Sequence, residues 1–360
     1  MQRILLLISA TLIFAIGLVM IFSTTSADVL DHDFQKDTHQ ALLRQVLYGV
    51  IGLILAACAW KVGCRRILAM SPALLLIFSI LLVLTLIPGI GREVNGSRRW
   101  LGIAGFSFQP SEFVKYIIPA FFIHRYLQFQ ENLFTFRDFL KLVGISTIPM
   151  FLIMIEPNNG TAAVIGFSIV ILCLLMRVPF KFWALPLCVF VVVAGTFAYN
   201  LPYVTARLKV YLHPELDLKG KGHQPYQAKI AAGSGGLLGK GPGNSWQKLS
   251  YLPEAQNDYI GAIFAEEFGF LGIVVLIALY MLIAYLGFSI SSQAPDRALS
   301  YYAGAITYLI CFQAFLNLGV VSGLLPSTGL NLPLFSQGGT SLMTNIMGLG
   351  LLMSISKDRS

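Results

Sequence analysis

Long apolar stretches with few or no charged residues dominate this chain. The runs Ile4 to Ala27 and Ala298 to Ser356 contain no charge at all. Because about 20 apolar residues cross a bilayer as one helix, the first run predicts one span. Turn-forming residues at Pro326–Asn331 divide the second into two. Ten spans are predicted, at residues 4–23, 45–61, 67–88, 110–127, 138–156, 160–177, 181–200, 259–287, 299–325 and 337–356.

Composition agrees with a membrane protein. The chain is 56% hydrophobic and 12% charged, whereas soluble domains carry roughly 25% charged residues. We therefore predict an all-α integral membrane protein in which residues 1–360 form a single domain, one bundle of about ten transmembrane helices. Residues 201–258, between spans seven and eight, are long enough for a large loop with its own structure, including a short helix near Gln224–Ala232.

Basic residues in the short connections predict the orientation. Lysine and arginine concentrate in cytoplasmic loops, so one side is assigned to the cytoplasm together with both termini, and the loop 201–258 to the outside. The cytoplasmic set is Arg3, Lys61, Arg65, Arg66, Arg125, Arg137, Arg177, Lys181, Arg297, Lys357 and Arg359. The outer cluster Arg92–Arg99 conflicts with the rule, and an anion at the membrane surface would explain it. The net charge of +8 follows this topology, so no nucleic-acid partner is expected.

Charged residues within or beside spans cost about 2.5–3.5 kcal/mol each, so each calls for a partner or a role. Glu112 and Lys115 stand three residues apart, where helix side chains can pair. Arg98 and Arg99 precede them and suit a phosphate ligand, because a guanidinium binds two phosphate oxygens at once. A structural ion pair with arginines that grip lipid headgroups is the alternative. Arg44 lies at the end of span two and is a similar candidate. The alternative is that its side chain only extends to the membrane surface, which is called snorkelling.

A glycine-rich segment, Gly233 to Ser245, surrounds Lys240. Such backbone can line an anion site, and a mobile surface loop is the alternative. The segment departs from the Walker A pattern at Ser234 and Gly241, so it does not predict an ATPase. Five cysteines without a CxxC pair indicate neither a disulfide framework nor a metal site, and the histidines show no ligand spacing.

Asp258 stands where the long loop re-enters the membrane. Partial desolvation at such a boundary raises the pKa of a carboxylate and suits a general base. A helix cap is the alternative. Glu266 is expected about two turns deeper on the same face. The turn Glu156–Thr161 offers one further polar group, in which Asn158 or Asn159 closes the turn.

Together these segments resemble the SEDS family, the FtsW/RodA proteins of bacterial wall synthesis. The resemblance covers nearly the whole chain and looks closer to the division-type FtsW branch. Four ordered motifs carry it: Gly96–Trp100 with Gln109–Lys115; Tyr226–Gln227 with Gly233–Gly236; Tyr251–Glu254 with Asp258; and Leu325–Gly329 with Ser336–Ser341. The chain departs from the family at Asn257–Asp258–Tyr259, where Thr-Asp-Phe is usual, and at Pro157–Asn158, where Pro-Asp is usual.

The resemblance implies a glycosyltransferase that polymerises lipid II, with Asp258 as the essential carboxylate. It also implies a class B penicillin-binding protein, a transpeptidase, as partner, and membrane lipids around the chain in the bacterial cytoplasmic membrane. The substrate-binding residues expected on this basis are Arg98, Arg99, Glu112, Lys115, Lys229, Lys240 and Arg44. No cofactor is certain; a divalent metal ion, Mg²⁺ or Mn²⁺, is the one candidate.

Two other functions fit a ten-helix chain with polar residues near one face. A lipid II flippase would need a charged path through the midplane, and spans six, seven, nine and ten carry no charge at their centres. A non-catalytic scaffold for the transpeptidase would tolerate Asp258→Ala. Both stay open at the level of sequence.

Overall fold

The computed structural model describes residues 1–32, 39–94, 96–103, 106–130, 134–212, 222–248, 252 and 255–357. Within these residues the chain forms twelve helices and three short strands. The elements are α1 Gln2–His32, α2 His39–Val62, α3 Cys64–Leu86, β1 Gly91–Val94, β2 Ser97–Ile103, β3 Phe106–Phe108, α4 Pro110–Gln130, α5 Phe136–Ile155, α6 Asn159–Leu175, α7 Phe180–Tyr199, α8 Pro202–Leu212, α9 His223–Ser234, α10 Ile260–Ser292, α11 Arg297–Val321 and α12 Gly339–Lys357.

The predicted helical architecture is confirmed. Ten of the described helices, α1 to α7 and α10 to α12, coincide with the ten predicted spans. Seven of them, α1, α2, α3, α5, α7, α10 and α11, are long and apolar enough to cross a membrane. Helix α6 is apolar but shorter. The number of spans, ten, and the outer location of residues 201–258 therefore stay predictions. The short helix expected near Gln224–Ala232 is present as α9.

One element was not predicted. Strands β1, β2 and β3 form an antiparallel sheet between α3 and α4, in which Arg92 faces Trp100. The Asn95–Gly96 pair was the available sequence signal, because an Asn-Gly step between short strands is typical of a hairpin. Gly96 indeed has φ 72°, a conformation that suits glycine.

The chain divides into two compact units. Unit 1 comprises Met1–Val50, Thr196–Ala284 and Cys311–Gly338. Unit 2 comprises Ile51–Gly195, Tyr285–Ile310 and Gly339–Ser360.

Helix α4 is the centre of unit 2. It packs against α3, α5, α6 and α12, and its residues from Pro110 to Ile123 are buried. Burial on all sides requires an almost wholly apolar surface. The few polar groups on this helix therefore need partners inside the protein: the Tyr116 hydroxyl donates to Asn345 Oδ1 at 2.8 Å.

Candidate functional site

Asp258 lies in unit 1, in the turn of residues 255–259 that leads into α10, and it is half-buried. The Asn317 side-chain amide donates to the Asp258 carbonyl at 2.8 Å and to the Leu330 carbonyl at 2.7 Å. The Gln337 amide donates to the Gln256 carbonyl at 3.0 Å. The turn that carries Asp258 is therefore tied to α11 and to the irregular segment after it.

That segment, residues 322–338, is itself held by buried polar side chains. Gln313 donates to the Asn331 carbonyl at 2.8 Å, and Gln45 of α2 donates to the Ser336 carbonyl at 3.0 Å. Sequence reasoning missed Gln45, Gln313 and Asn317. The available signal was an amide side chain inside an apolar run, because such a group needs a partner in the membrane.

Two of the predicted cations of unit 1 lie on different elements. Lys229, on α9, is half-buried and lies across the turn after α11. A Cβ added to Gly323 in that turn would come within 2.0 Å of Lys229 Cε, so the lysine side chain packs directly on this turn. Arg44 is exposed on α2.

The glycine-rich segment packs against α10; we call its residues 235–248 the glycine loop. Lys240 Nζ lies 2.5 Å from Glu266 Oε1, and Ser245 Oγ donates to Glu266 Oε2 at 2.5 Å. Ser234 Oγ and the backbone amides of residues 246 and 247 also donate to this carboxylate, at 3.2, 3.4 and 3.3 Å. One anion in contact with this loop is therefore the chain's own Glu266.

The neighbouring glutamate is engaged in the same way. Glu267 Oε1 accepts from Lys248 Nζ at 2.9 Å and from Ser23 Oγ of α1 at 3.2 Å. The side chains of Lys248 and Glu267 are 7% and 1% exposed. Two adjacent carboxylates of α10 thus each bind a lysine of the glycine loop. Sequence reasoning did not assign Lys248 or Glu267 to a site.

In unit 2, the predicted pair of Glu112 and Lys115 is confirmed. Lys115 Nζ donates to Glu112 Oε2 at 2.9 Å, and both side chains are buried in the first turns of α4. Ser111 beside them accepts from the Asn158 side-chain amide at 3.3 Å. Asn158 Oδ1 in turn accepts from the Thr161 amide and caps α6. Asn158 therefore closes the α5–α6 turn, as expected, and joins it to the start of α4.

The two arginines of β2 differ in their partners. Arg99 donates to the carbonyls of Glu156 and Pro157 at 2.8 and 2.5 Å. Arg98 pairs with Glu93 of β1 at 3.0 Å, and both side chains are partly exposed. The Arg99 side chain thus binds backbone carbonyls of the α5–α6 turn, whereas Arg98 lies at the surface of the sheet.

Glu156 follows the last residue of α5 and is fully buried. Its Oε1 accepts a hydrogen bond from Thr85 Oγ1, and its Oε2 has no hydrogen-bond partner in the described part of the chain.

Unit 2 thus brings Arg99, Glu112, Lys115 and the α5–α6 turn together. Unit 1 carries three further predicted residues on separate segments. The Asp258 turn binds Asn317 of α11, Lys240 binds Glu266 of α10, and Lys229 packs on the turn after α11. Among the residues that the structure describes, no group of three or more His, Cys, Asp and Glu side chains is arranged to hold a metal ion. The divalent metal stays a prediction.

Comparisons with known proteins cover nearly the full chain. The family described as cell cycle protein, FtsW/RodA/SpoVE, matches residues 3–360. Stage V sporulation protein E of Bacillus subtilis (strain 168) is 38% identical over 359 residues, 98% of this chain and 96% of the relative. A probable peptidoglycan glycosyltransferase FtsW of Thioalkalivibrio sp. (strain K90mix) is 37% identical over 365 residues, 98% of this chain and 89% of the relative.

Solved structures agree. A chain of a peptidoglycan synthase complex, studied for the coordination of polymerization and crosslinking, superposes with a TM-score of 0.77 at 25% identity and covers 98% of this chain and 97% of its own. The rod shape determining protein RodA of Thermus thermophilus gives 0.65 at 28% identity, with 98% and 96% covered. The helical layout, the ordered motifs and these full-length matches agree, and the chain belongs to the FtsW/RodA/SpoVE family, as the resemblance to SEDS proteins predicted.

Proposed function

We propose that this chain is a peptidoglycan glycosyltransferase that polymerises lipid II into glycan strands. The observation that carries the proposal is the position of Asp258. It lies half-buried at the entry to α10, in a turn that Asn317 ties to the segment after α11. Curated relatives that match over nearly the whole chain are named peptidoglycan glycosyltransferases, which supports the same activity.

In the proposed reaction, Asp258 acts as general base. It takes the proton from the C4 hydroxyl of the acceptor N-acetylglucosamine while that oxygen attacks the anomeric carbon of the donor sugar. The new C–O bond forms as the bond to undecaprenyl pyrophosphate breaks, so the anomeric configuration inverts. A positioned base contributes about 10²–10⁴-fold to such a step.

The pyrophosphate leaves as a stable anion, so it needs cations more than a proton donor. We propose Arg44 and Lys229 for this role, because both lie in unit 1 with Asp258 and are at least partly exposed. The substrate-binding role of Arg98 stays a prediction. Lys115 and Lys240 already bind Glu112 and Glu266, so their charges are balanced within the protein. A Mg²⁺ or Mn²⁺ ion would add positive charge at the leaving group.

The partner and location follow from the family. We propose that a class B penicillin-binding protein binds this chain in the bacterial cytoplasmic membrane and cross-links the product. A peptidoglycan synthase complex among the similar structures supports a partner of this kind. Both termini are proposed to be cytoplasmic, with Asp258 on the extracytoplasmic side. Closer resemblance to the FtsW branch favours a role in cell division.

The test is glycan polymerisation from purified lipid II by the protein with its transpeptidase partner. Asp258→Asn and Asp258→Ala are expected to lower the rate by about 10²–10⁴-fold, because each removes the base. The matched control is Asp296→Asn, since Asp296 is another half-buried carboxylate, bound to Arg65. Full polymer from both Asp258 variants would refute the role of Asp258 as the general base.

A further inference from the structure

Helix α10 is interrupted nine residues after its start. Gly269 has φ 66° and ψ −165°, which is outside the helical region and suits only glycine. At this break α10 exchanges backbone hydrogen bonds with the glycine loop. The bonds run from the Lys240 amide to the Glu266 carbonyl (2.9 Å), Gly241 to Glu267 (3.0 Å), Phe270 to Gly236 (2.9 Å) and Leu271 to Leu237 (3.2 Å).

Glycines allow the two backbones to approach this closely. A Cβ added to Gly235 would lie 2.0 Å from the Ala265 carbonyl oxygen, and one added to Gly239 would lie 2.2 Å from that of Glu267. A Cβ on Gly269 would lie 2.3 Å from the Gly239 amide nitrogen. Close packing on α10 therefore explains Gly235 and Gly239, whereas Gly236, Gly241 and Gly243 have a positive φ that suits glycine.

Two ion pairs between side chains stabilise the same contact. Glu266 and Glu267 are 0% and 1% exposed, and they bind Lys240 and Lys248. Two carboxylates face two ammonium groups, so this contact between α10 and the loop is electrically balanced. Ser23 of α1 donates to Glu267 and accepts from Lys248 at 2.9 Å, which ties the contact to a third element.

This arrangement leaves the first part of α10, Ile260 to Phe268, fixed at both of its ends. Asn317 holds the turn before it through the carbonyl of Asp258. Glu266 and Glu267 hold its last turn through the glycine loop. The break at Gly269 weakens the connection between this short helix and the rest of α10. The contacts at its two ends therefore matter more for its position.

We propose that Glu266 and Glu267 are positioning residues of the transfer reaction: together with Lys240 and Lys248 they fix the short helix that follows Asp258, and so hold Asp258 in its reactive orientation. This inference rests on the proposed function of Asp258. The glutamates act through the backbone between them and Asp258, and they touch no substrate in this account.

The test compares kcat and KM for lipid II polymerisation in complexes with the transpeptidase partner. Glu267→Gln keeps the size of the side chain and removes its charge. We expect kcat to fall about ten- to hundredfold, because a misplacement of about 1 Å costs up to that much. KM should change less than about twofold, because the lost interaction does not bind lipid II. The exchange Glu267→Lys with Lys248→Glu restores the pairing, so it should recover most of kcat.

A second readout does not depend on activity. In Glu267→Gln, hydrogen exchange at the amides of Lys240 and Gly241 should accelerate, because the loop is less firmly held. Asp296→Asn is the matched control, since it breaks the Arg65 ion pair of 3.0 Å in unit 2; its kcat and loop exchange should equal wild type. If Glu267→Gln does not fold, Ser245→Ala removes one bond to Glu266 and should lower kcat severalfold.

Unchanged kcat in Glu267→Gln, together with accelerated loop exchange, would overturn the positioning role. A parallel rise in KM and loss of kcat that the charge exchange fails to rescue would also overturn it, because general destabilisation predicts that pattern. The Asp258→Asn complex separates the two proposals. If it polymerises lipid II at the wild-type rate, the proposed role of Asp258 as the base fails; if it is inactive while Glu267→Gln is fully active, only the positioning inference fails.

Discussion

Replacing Glu112 by glutamine would remove the carboxylate that Lys115 binds in the buried first turns of α4. The two groups lie 2.9 Å apart, and their side chains are 7% and 1% exposed. Removal of one partner from such a pair costs about 3–5 kcal/mol, because the remaining ion stays desolvated without its counter-charge. We expect the free energy of unfolding of Glu112→Gln to fall by about that amount.

The double variant Glu112→Gln with Lys115→Met makes the argument specific. It removes both charges, and replacing a whole buried pair with uncharged groups is often neutral. Its free energy of unfolding should therefore be higher than that of either single variant. The measurement is reversible unfolding in mixed micelles, read by far-ultraviolet circular dichroism. Glu93→Gln is the control, because its pair with Arg98 is about half exposed and such pairs contribute about 0.2–1 kcal/mol.

Two results would refute this reasoning. One is a loss below about 1 kcal/mol for Glu112→Gln, which would mean that Lys115 finds water or another counter-charge. The other is a double variant whose loss equals the sum of the two single losses. Additive losses would show that the two side chains do not interact energetically.

A further prediction concerns the turn that carries Asp258. Asn317→Leu removes the side-chain amide that donates to the carbonyls of Asp258 and Leu330. We expect polymerisation to fall about tenfold, because a small misplacement of a catalytic group lowers the rate. Wild-type activity would show that the turn needs no anchor.

Much of the secondary structure followed from local properties of the chain. Helices α1 to α7 and α10 to α12 occur at the predicted spans, because a segment in a bilayer must satisfy its own backbone hydrogen bonds. The pairing of Glu112 and Lys115 was predictable because residues three apart share one helix face. The cap at Asn158 was also predictable, because a capping side chain binds a backbone amide only three residues further along the chain.

The partners of Lys240 and Arg99 were not predictable in this way. Lys240 binds Glu266 and Arg99 binds the α5–α6 turn, across 26 and 57 residues of chain. The sequence suggested a phosphate ligand for both cations, because their chemistry suits one. The fold provides internal acceptors for both, and the phosphate ligand stays a prediction. A basic side chain beside an apolar region is stabilised by any nearby anion or carbonyl, and composition does not state which one folding brings near.

The sequence by itself determined the helical membrane class, the order of the helices and the placement of Asp258 at the entry to α10. These depend on apolar length, on charge and on neighbours within one or two turns. Only the tertiary structure decided that α10 is broken at Gly269 and that the glycine loop fills the break. That contact joins segments about 30 residues apart, and its bonds form only when both backbones are packed together.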